Sequence, residues 1–407
     1  MDLKRIFFLE NEIMNYQWGS KTVIAELLGK PSPSPEPLAE MWMGAHPKAP
    51  SRVKTGSESV LLPELIRKYP EAILGKETAQ DFGHRLPFLF KVLAACEPLS
   101  IQAHPDKIQA SEGFARENEQ NIPINDDKRN YKDKAGKPEC ICALTPFTAL
   151  CGFREIDEIK MLFAEACGEK ASPILNNLRE VRDGGLPETQ GLKYFFKQLM
   201  ETNDDDKKEL IEAASSSVQA ASGADPALKW MVRIREMEKF KHDIGIFAPI
   251  FLNLVVLKPG QALFLPPGRL HAYLEGAAIE LMANSDNTLR GGLTGKHVDL
   301  EELLKAIRFV QTPVEILKLQ KDPETVYKTP ADEFILSRIN TGHGSGYHCT
   351  RKRSIEIAFC TQGNALISYS NDYSPLEIKK GDSLLIPALV ENYRIEGSAV
   401  IYKAGVP

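Results

Sequence analysis

Two histidines, a glutamate and a glutamine can make a metal site in this chain. Gln102 and His104 stand two apart in the run Leu99-Ser100-Ile101-Gln102-Ala103-His104, so an extended backbone turns both, with Ser100, to one face. Glu139 sits near the start of a further apolar run at 137–144, and His271 precedes Ala272-Tyr273-Leu274. Two imidazoles, a carboxylate and an amide oxygen suit Zn2+, with bonds of about 2.0–2.2 Å and a position left for water or substrate. Two histidines and a carboxylate equally suit the non-haem iron of oxygenases, and spacing does not separate the two metals. None of the seven cysteines is placed to join the set, which argues against a structural zinc knot.

A second polar group, Asn284-Ser285-Asp286-Asn287-Thr288-Leu289-Arg290-Gly291-Gly292, follows directly on an apolar run at 279–283. An arginine in a loop is usually a solvated surface charge. Here the paired glycines let backbone approach a ligand closely, and Arg290 can reach a phosphate or oxyanion, with Lys296 as a second cation. The remaining histidines lack such partners. His84, His242, His343, His348 and His297 are expected at the surface, and His46 is expected to brace a loop.

These groups must be held by short strands, because apolar runs broken by proline and glycine dominate both ends of the chain. The spacing Gly260-x5-Pro266-Pro267-Gly268-x2-His271 resembles the second motif of the cupin superfamily, small jelly-roll barrels whose histidine faces inward and binds a metal. The segment 376–397 aligns without a gap on 255–276, matching Gly381 to Gly260, Pro387 to Pro266 and Gly397 to Gly276. That repeat implies two barrels of one kind. It puts Asn392 opposite His271, so the second barrel is expected to hold no metal. Between them, 154–243 lacks strand signals and shows helical spacing at 154–163, 192–200, 206–220 and 227–240.

The expected architecture is mainly β with α: two cupin-type jelly-roll barrels plus an inserted all-helical domain. Residues 1–153 and 244–310 would form the catalytic barrel, 154–243 the insertion and 311–407 the barrel without metal. Short helices are expected at 61–74, a buried strand holding the single charge Lys91 at 86–93, and charged, loop-like chain at 111–134 with room for a short helix near its start. Asp299 and Glu302 read as a capping box for a helix at 300–309.

The net charge of −5 leaves no electrostatic footprint for nucleic acid. No apolar run reaches membrane-spanning length, and the first residues are too short in apolar character for a signal peptide. An odd cysteine count without a CxxC pair fits free thiols in a reducing cytoplasm. A cytoplasmic monomer acting on a small molecule is expected.

Several motifs together resemble type I mannose-6-phosphate isomerases over nearly the whole chain. They are Tyr16-x-Trp18-Gly19, the segment from Ala39 to Ser51, Leu99 to Lys107, Tyr131-x-Asp133 with Lys137-Pro138-Glu139, and His271-Ala-Tyr-Leu with Glu280 to Asn287 and Arg290. The resemblance implies zinc-dependent interconversion of mannose 6-phosphate and fructose 6-phosphate, with one zinc ion per chain on Gln102, His104, Glu139 and His271. It also implies that Arg290 lies in the active site, that Trp18, Lys137, Glu280 and Asp286 line it, and that Ser100 and Lys296 stand near the phosphate. Lys137, Asp286 or a water on the metal can move the proton, and the sequence does not rank them. Two departures bear on that point. The family usually has Asn-His before Lys-Pro-Glu, where this chain has Ala135-Gly136, and Arg-Ala-Gly-x-Thr-Pro-Lys where it has Arg290-Gly291-Gly292-Leu293-Thr294-Gly295-Lys296. Two other classes compete with an isomerase: a non-catalytic cupin that binds a sugar phosphate, and an iron cupin dioxygenase.

Overall fold

Proline and glycine divide the region around His271 into the strands Leu252–Leu257, Ala262–Leu265 and His271–Ala283. The computed structural model describes residues 2–56, 58–182, 184–219, 225–320, 323–342, 346–349 and 353–407. It is a mixed α/β structure with two large antiparallel sheets and a helical region. His271–Ala283 is the spine of the first sheet. Along one edge it pairs with Phe88–Ala95, from Gly276 opposite Ala95 to Ala283 opposite Phe88. Along the other it pairs with Glu139–Ala143 and Phe147–Phe153. All eight residues of Phe88–Ala95 are buried, Lys91 included.

The second sheet repeats this plan. Ser383–Ile386 lies 121 positions after Ala262–Leu265, and Tyr393–Gly405 matches the length of His271–Ala283. Glu139 pairs with Leu265 and Met282 in the first sheet, while Glu356 pairs with Ile386 and Gly405 in the second. The aligned glycines share a backbone geometry as well as a place. Gly276 and Gly397 have φ of 116° and 131°, in the left-handed region that glycine enters at no steric cost.

Strand pairing crosses the division expected from sequence. Phe7–Glu10 pairs with Ser383–Ile386, Phe7 opposite Leu385, and with the hairpin that begins at Arg52–Thr55. These N-terminal strands therefore extend the second sheet, not the one that carries the metal-type residues. The reason lies in their inward side chains: Phe7, Leu9 and Val53 enter a core that also contains Phe90, Cys142, Ile279, Ile357 and Tyr402 from both sheets.

The helical region holds Ile156–Cys167, Ser172–Arg182, Glu188–Met200, Asp204–Gln219 and Pro226–Arg235. Ser172–Arg182 was not expected. Its buried stripe is only Ile174, Leu175 and Leu178, and Pro173 is tolerated because it sits in the first turn. A second difference is the extent of the helix Lys107–Glu119, where loop-like chain with at most a short helix near its start was expected from 111 onward. Its apolar face is nearly empty, with Ala110, Gly113 and Glu117 buried, so periodicity is silent. The start is set instead by Asp106 and Gln109, which form a reciprocal capping box. The helix at Leu300–Ala306 begins as expected, with Asp299 accepting the Glu302 N–H. The Glu302 carboxylate, however, turns to Arg116 and Tyr131.

His84, His242, His297 and His348 are exposed as expected, while His343 lies outside the described residues. No described helix is long and apolar enough to cross a membrane.

Two glycines separate backbone strain from collision. Gly29 has φ 63° and open space around it, whereas a Cβ on Gly276 would lie 2.4 Å from the Pro146 carbonyl oxygen. Gly29→Ala should cost about 1 kcal/mol. Gly276→Ala should cost several times more, read as the shift in urea midpoint, and equal shifts would refute the packing argument.

Candidate active site

Register brings the metal-type residues together. The short strand Gln102–Ala103 pairs with His271 on one side and with Leu289–Arg290 on the other, placing Gln102 opposite both His271 and Arg290. Glu139 arrives from its own strand opposite Met282. His104, Glu139 and His271 offer ligand atoms within 4.8 Å of one another, and each is at most 2% exposed.

The outer hydrogen bonds determine how the imidazoles face. His104 Nδ1 donates to the Asn287 carbonyl and His271 Nδ1 to the Arg269 carbonyl, both at 2.8 Å. Each Nε2 is then a lone pair turned inward. The His104 Nε2 lies 3.1 Å from Glu139 Oε1 and the His271 Nε2 3.3 Å from Glu139 Oε2. Lone pairs facing a carboxylate repel unless a cation stands between them. These separations match the edges of a tetrahedron around an ion with bonds of about 2.0–2.1 Å. Gln102 Nε2 lies 3.3 Å from His271 Nε2, and a half-turn of that amide presents its oxygen instead. The four residues therefore fit a divalent metal.

The titration states fit it too. Burial, then Lys137, pushes His104 down to about 4, so both charge and tautomer suit ligation. Burial alone would raise the Glu139 carboxyl, but Lys137 and His104 outweigh it and hold it well below the usual range. Burial and the nearby Glu139 keep the Tyr273 hydroxyl protonated, and it donates to Glu139 Oε2 at 3.4 Å. Lys137 Nζ forms an ion pair with Glu139 Oε1 at 3.1 Å.

A cavity of about 570 Å³ opens from this cluster and is lined by Trp18, Ser100, Gln102, Lys137, Glu139, Glu280, Asp286, Arg290 and Lys296. Every site residue expected from sequence thus lies on the cavity or, for His104 and His271, against its Glu139 wall. A larger groove of about 780 Å³ on the helices is lined by ion-paired surface residues such as Lys170 and Glu209, without convergent polar groups. The Arg290 guanidinium has no hydrogen-bond or ion-pair partner among the described residues, and burial lowers its pKa. Lys296 is lowered by burial and by Arg290 and Lys132 beside it. One wall of the cavity is thus cationic and uncompensated. Tyr16 and Trp18 stack nearby at 5.7 Å.

Asp286 accepts from Lys48 at 2.9 Å and faces His46 Nε2 at 3.5 Å. Burial would raise its carboxyl, but these two bonds hold it well below the usual range. His46 braces this loop, as expected. The loop is knotted further by Asp133, which accepts from Ser285 Oγ and the Asp286 N–H, and by the fully buried Asn287. Asn287 accepts from the Lys132 and Asp133 amides and donates to the Asp133 and Ala135 carbonyls. Gly136, where the chain departs from the family motif, is a close approach: a Cβ there would meet the Lys107 amide nitrogen at 2.9 Å.

Sequence reasoning named Lys91 as a charge in a buried strand and Glu280 as a site residue, but missed Glu40 and the pairing of the three. Lys91 bridges Glu280 at 2.9 Å and Glu40 at 3.7 Å, and Trp42 Nε1 donates to Glu40. Burial would lower the Lys91 pKa, but Glu280 and Glu40 outweigh it and raise it. Burial raises the Glu280 carboxyl against the pull of Lys91. The lone charge in the run 86–93 was the available signal. Its partners were invisible because they come from other strands.

Comparison with known proteins places this geometry. Residues 6–156 match the family model described as phosphomannose isomerase type I, catalytic domain. Mannose-6-phosphate isomerase of Escherichia coli is 38% identical over 393 residues, covering 96% of each chain. The protein of that name from Homo sapiens is 32% identical over 416 residues, covering 95% of each. A mutant phosphomannose isomerase from Salmonella typhimurium superposes with a TM-score of 0.90 at 36% identity, covering 98% of this chain and 99% of that one. A zinc-bound mannose 6-phosphate isomerase gives 0.88 at 36%, with the same coverage.

Lys91→Met should strand two buried carboxylates and cost about 3–5 kcal/mol of stability. Chemical denaturation measures this, and an unchanged midpoint would show that the pair is solvated after all.

Proposed function

The chain belongs to the type I phosphomannose isomerase family, and from that premise we propose that it interconverts mannose 6-phosphate and fructose 6-phosphate at a zinc ion held by Gln102, His104, Glu139 and His271. The observation that carries this reading is the unpartnered Arg290 guanidinium, half-buried in the same cavity as a His–Glu–His cluster. An enclosed cation without a counter-charge favours an anionic ligand. A dioxygenase pocket has no need of it.

The reaction moves one proton from C2 of the open-chain aldose to C1, through a cis-enediol, while a proton also passes between the two oxygens. Zinc, when bound, supplies a Lewis acid for the oxygens on C1 and C2. Arg290 stabilises negative charge as it develops on them. Lys137, ion-paired with Glu139 at 3.1 Å, is the side chain for proton transfer at the metal end of the cavity. Asp286 is a poor base, because His46 and Lys48 already stabilise its anion. It accepts hydrogen bonds from sugar hydroxyls, as does Glu280 on the floor. Trp18 gives the sugar an apolar face, and Ser100 and Lys296 bind the phosphate.

Both sheets, on this reading, close as cupin-type jelly rolls, with 154–243 inserted in the first. The second holds no metal. Asn392 replaces the imidazole, and Glu356, which pairs with Ile386 as Glu139 pairs with Leu265, is bound by Lys403 at 2.9 Å, by the Tyr393 hydroxyl at 2.9 Å and by Arg353 at 3.4 Å. An ammonium stands in for the ion.

A coupled assay of mannose 6-phosphate conversion, with metal analysis on the same sample, tests the function. His271→Ala should lose both zinc and turnover. Arg290→Ala should keep zinc and lose turnover by at least ~100-fold. Absent turnover at one zinc per chain would refute the isomerase and leave a sugar-phosphate binder, whereas iron with oxygen consumption would favour the dioxygenase. Lys403→Met should destabilise by about 3–5 kcal/mol without changing zinc stoichiometry. A second zinc in the unmodified chain would overturn the assignment of the C-terminal sheet.

A further inference from the structure

Among the described residues nothing holds the Arg290 guanidinium from its own end, so its aim depends on its backbone. The strand that carries it is two residues long, Leu289–Arg290. The loop behind it turns sharply at Leu293, whose φ of 51° is left-handed and unfavourable for a side chain of that size. Such a turn persists only where its surroundings hold it. On one side they are the metal-bearing strand: the Gly291 N–H donates to the Ile101 carbonyl at 2.8 Å, and the Ile101 N–H to the Gly292 carbonyl at 3.0 Å.

The other side is held from the helical insertion. Asp243, at its exit, accepts the Gly245 N–H on Oδ1 at 2.7 Å and the Thr294 N–H on Oδ2 at 3.2 Å. The two segments meet backbone to backbone. A Cβ on Gly292 would lie 3.0 Å from Gly245 Cα, and one on Gly245 would lie 2.8 Å from the Leu293 nitrogen. The same exit turn supplies Lys239 and Phe240 to the cavity wall, and Lys239 pairs with Glu97, ahead of Ser100.

We propose that Asp243 is a positioning residue for the reaction: its carboxylate ties the insertion to the loop 291–296, holds the Leu293 turn, and so sets the aim of Arg290. This rests on the isomerase reading. A carboxylate that only capped its own turn would use one oxygen, on Gly245. The second oxygen, on Thr294, is what joins the two segments.

The test uses the zinc-loaded full chain. The unmodified protein is assayed first, and absent turnover there counts against the isomerase reading alone. Asp243→Ala should keep one zinc per chain and lower kcat/KM by ~10- to 100-fold, as expected for a displaced catalytic group. Asp243→Asn, which keeps the shape and one acceptor, should fall between. Amide hydrogen exchange at Thr294, whose N–H is bonded to Asp243, should accelerate in both variants, a readout independent of turnover. Because the effect acts through Arg290, adding Asp243→Ala to Arg290→Ala should cost less than about twofold more, a strongly non-additive pair. Full kcat/KM, unchanged exchange at Thr294, or losses that multiply in the double variant would each overturn the proposal. If the alanine variant fails to fold, the asparagine variant decides by the same measurements.

Discussion

The Glu139 carboxylate is the group around which the rest is arranged. It is 1% exposed, and an isolated carboxylate at such depth is strongly disfavoured unless paired and hydrogen-bonded. Two ladders, to Leu265 and to Met282, fix its backbone. His104, His271, Lys137 and Tyr273 surround its oxygens. Each of those is constrained in turn, the imidazoles by the carbonyls of Asn287 and Arg269. Asn287 is itself locked to Asp133 and Ala135. The order required by one buried anion thus spreads outward into the loops that line the cavity.

Beneath it, Lys91 between Glu40 and Glu280 applies the same rule with the signs reversed. Burying ion pairs rarely adds stability over an apolar core, but removing one partner is strongly unfavourable. The floor therefore tolerates little rearrangement, whereas Lys48 and Lys296 at the rim are exposed and freer to adjust. A rigid floor with an adaptable cationic rim suits a small ligand carrying one charged end.

What was legible in the sequence had a local signature. Proline–glycine breaks marked the strands around His271, the two-residue spacing of Gln102 and His104 put both on one face, and the common glycine and proline pattern exposed the repeat. The elements that escaped notice lacked such a signature. Lys107–Glu119 has almost no apolar face, because Tyr131 lies against Gly113 and leaves no room for a large residue there. Lys91 showed its burial but not its partners, since ion pairs between strands leave no trace in spacing. The crossing of Phe7–Glu10 into the second sheet was hidden for the same reason: alternation tells which side of a strand is apolar, not which neighbour it joins.

That crossing affects how the molecule can be made. Leu9 and Ser383 are hydrogen-bonded across 374 positions, so Phe7–Glu10, which meets Arg52–Thr55 early along one edge, must wait for Ser383–Ile386 before its other edge is covered. Until then its apolar side chains and unpaired edge are exposed, a state in which strands join wrong partners. The contact is among the most non-local the chain can form, and such closures are slow. Once made, it closes that edge, and a strand laid down early is completed by one laid down late.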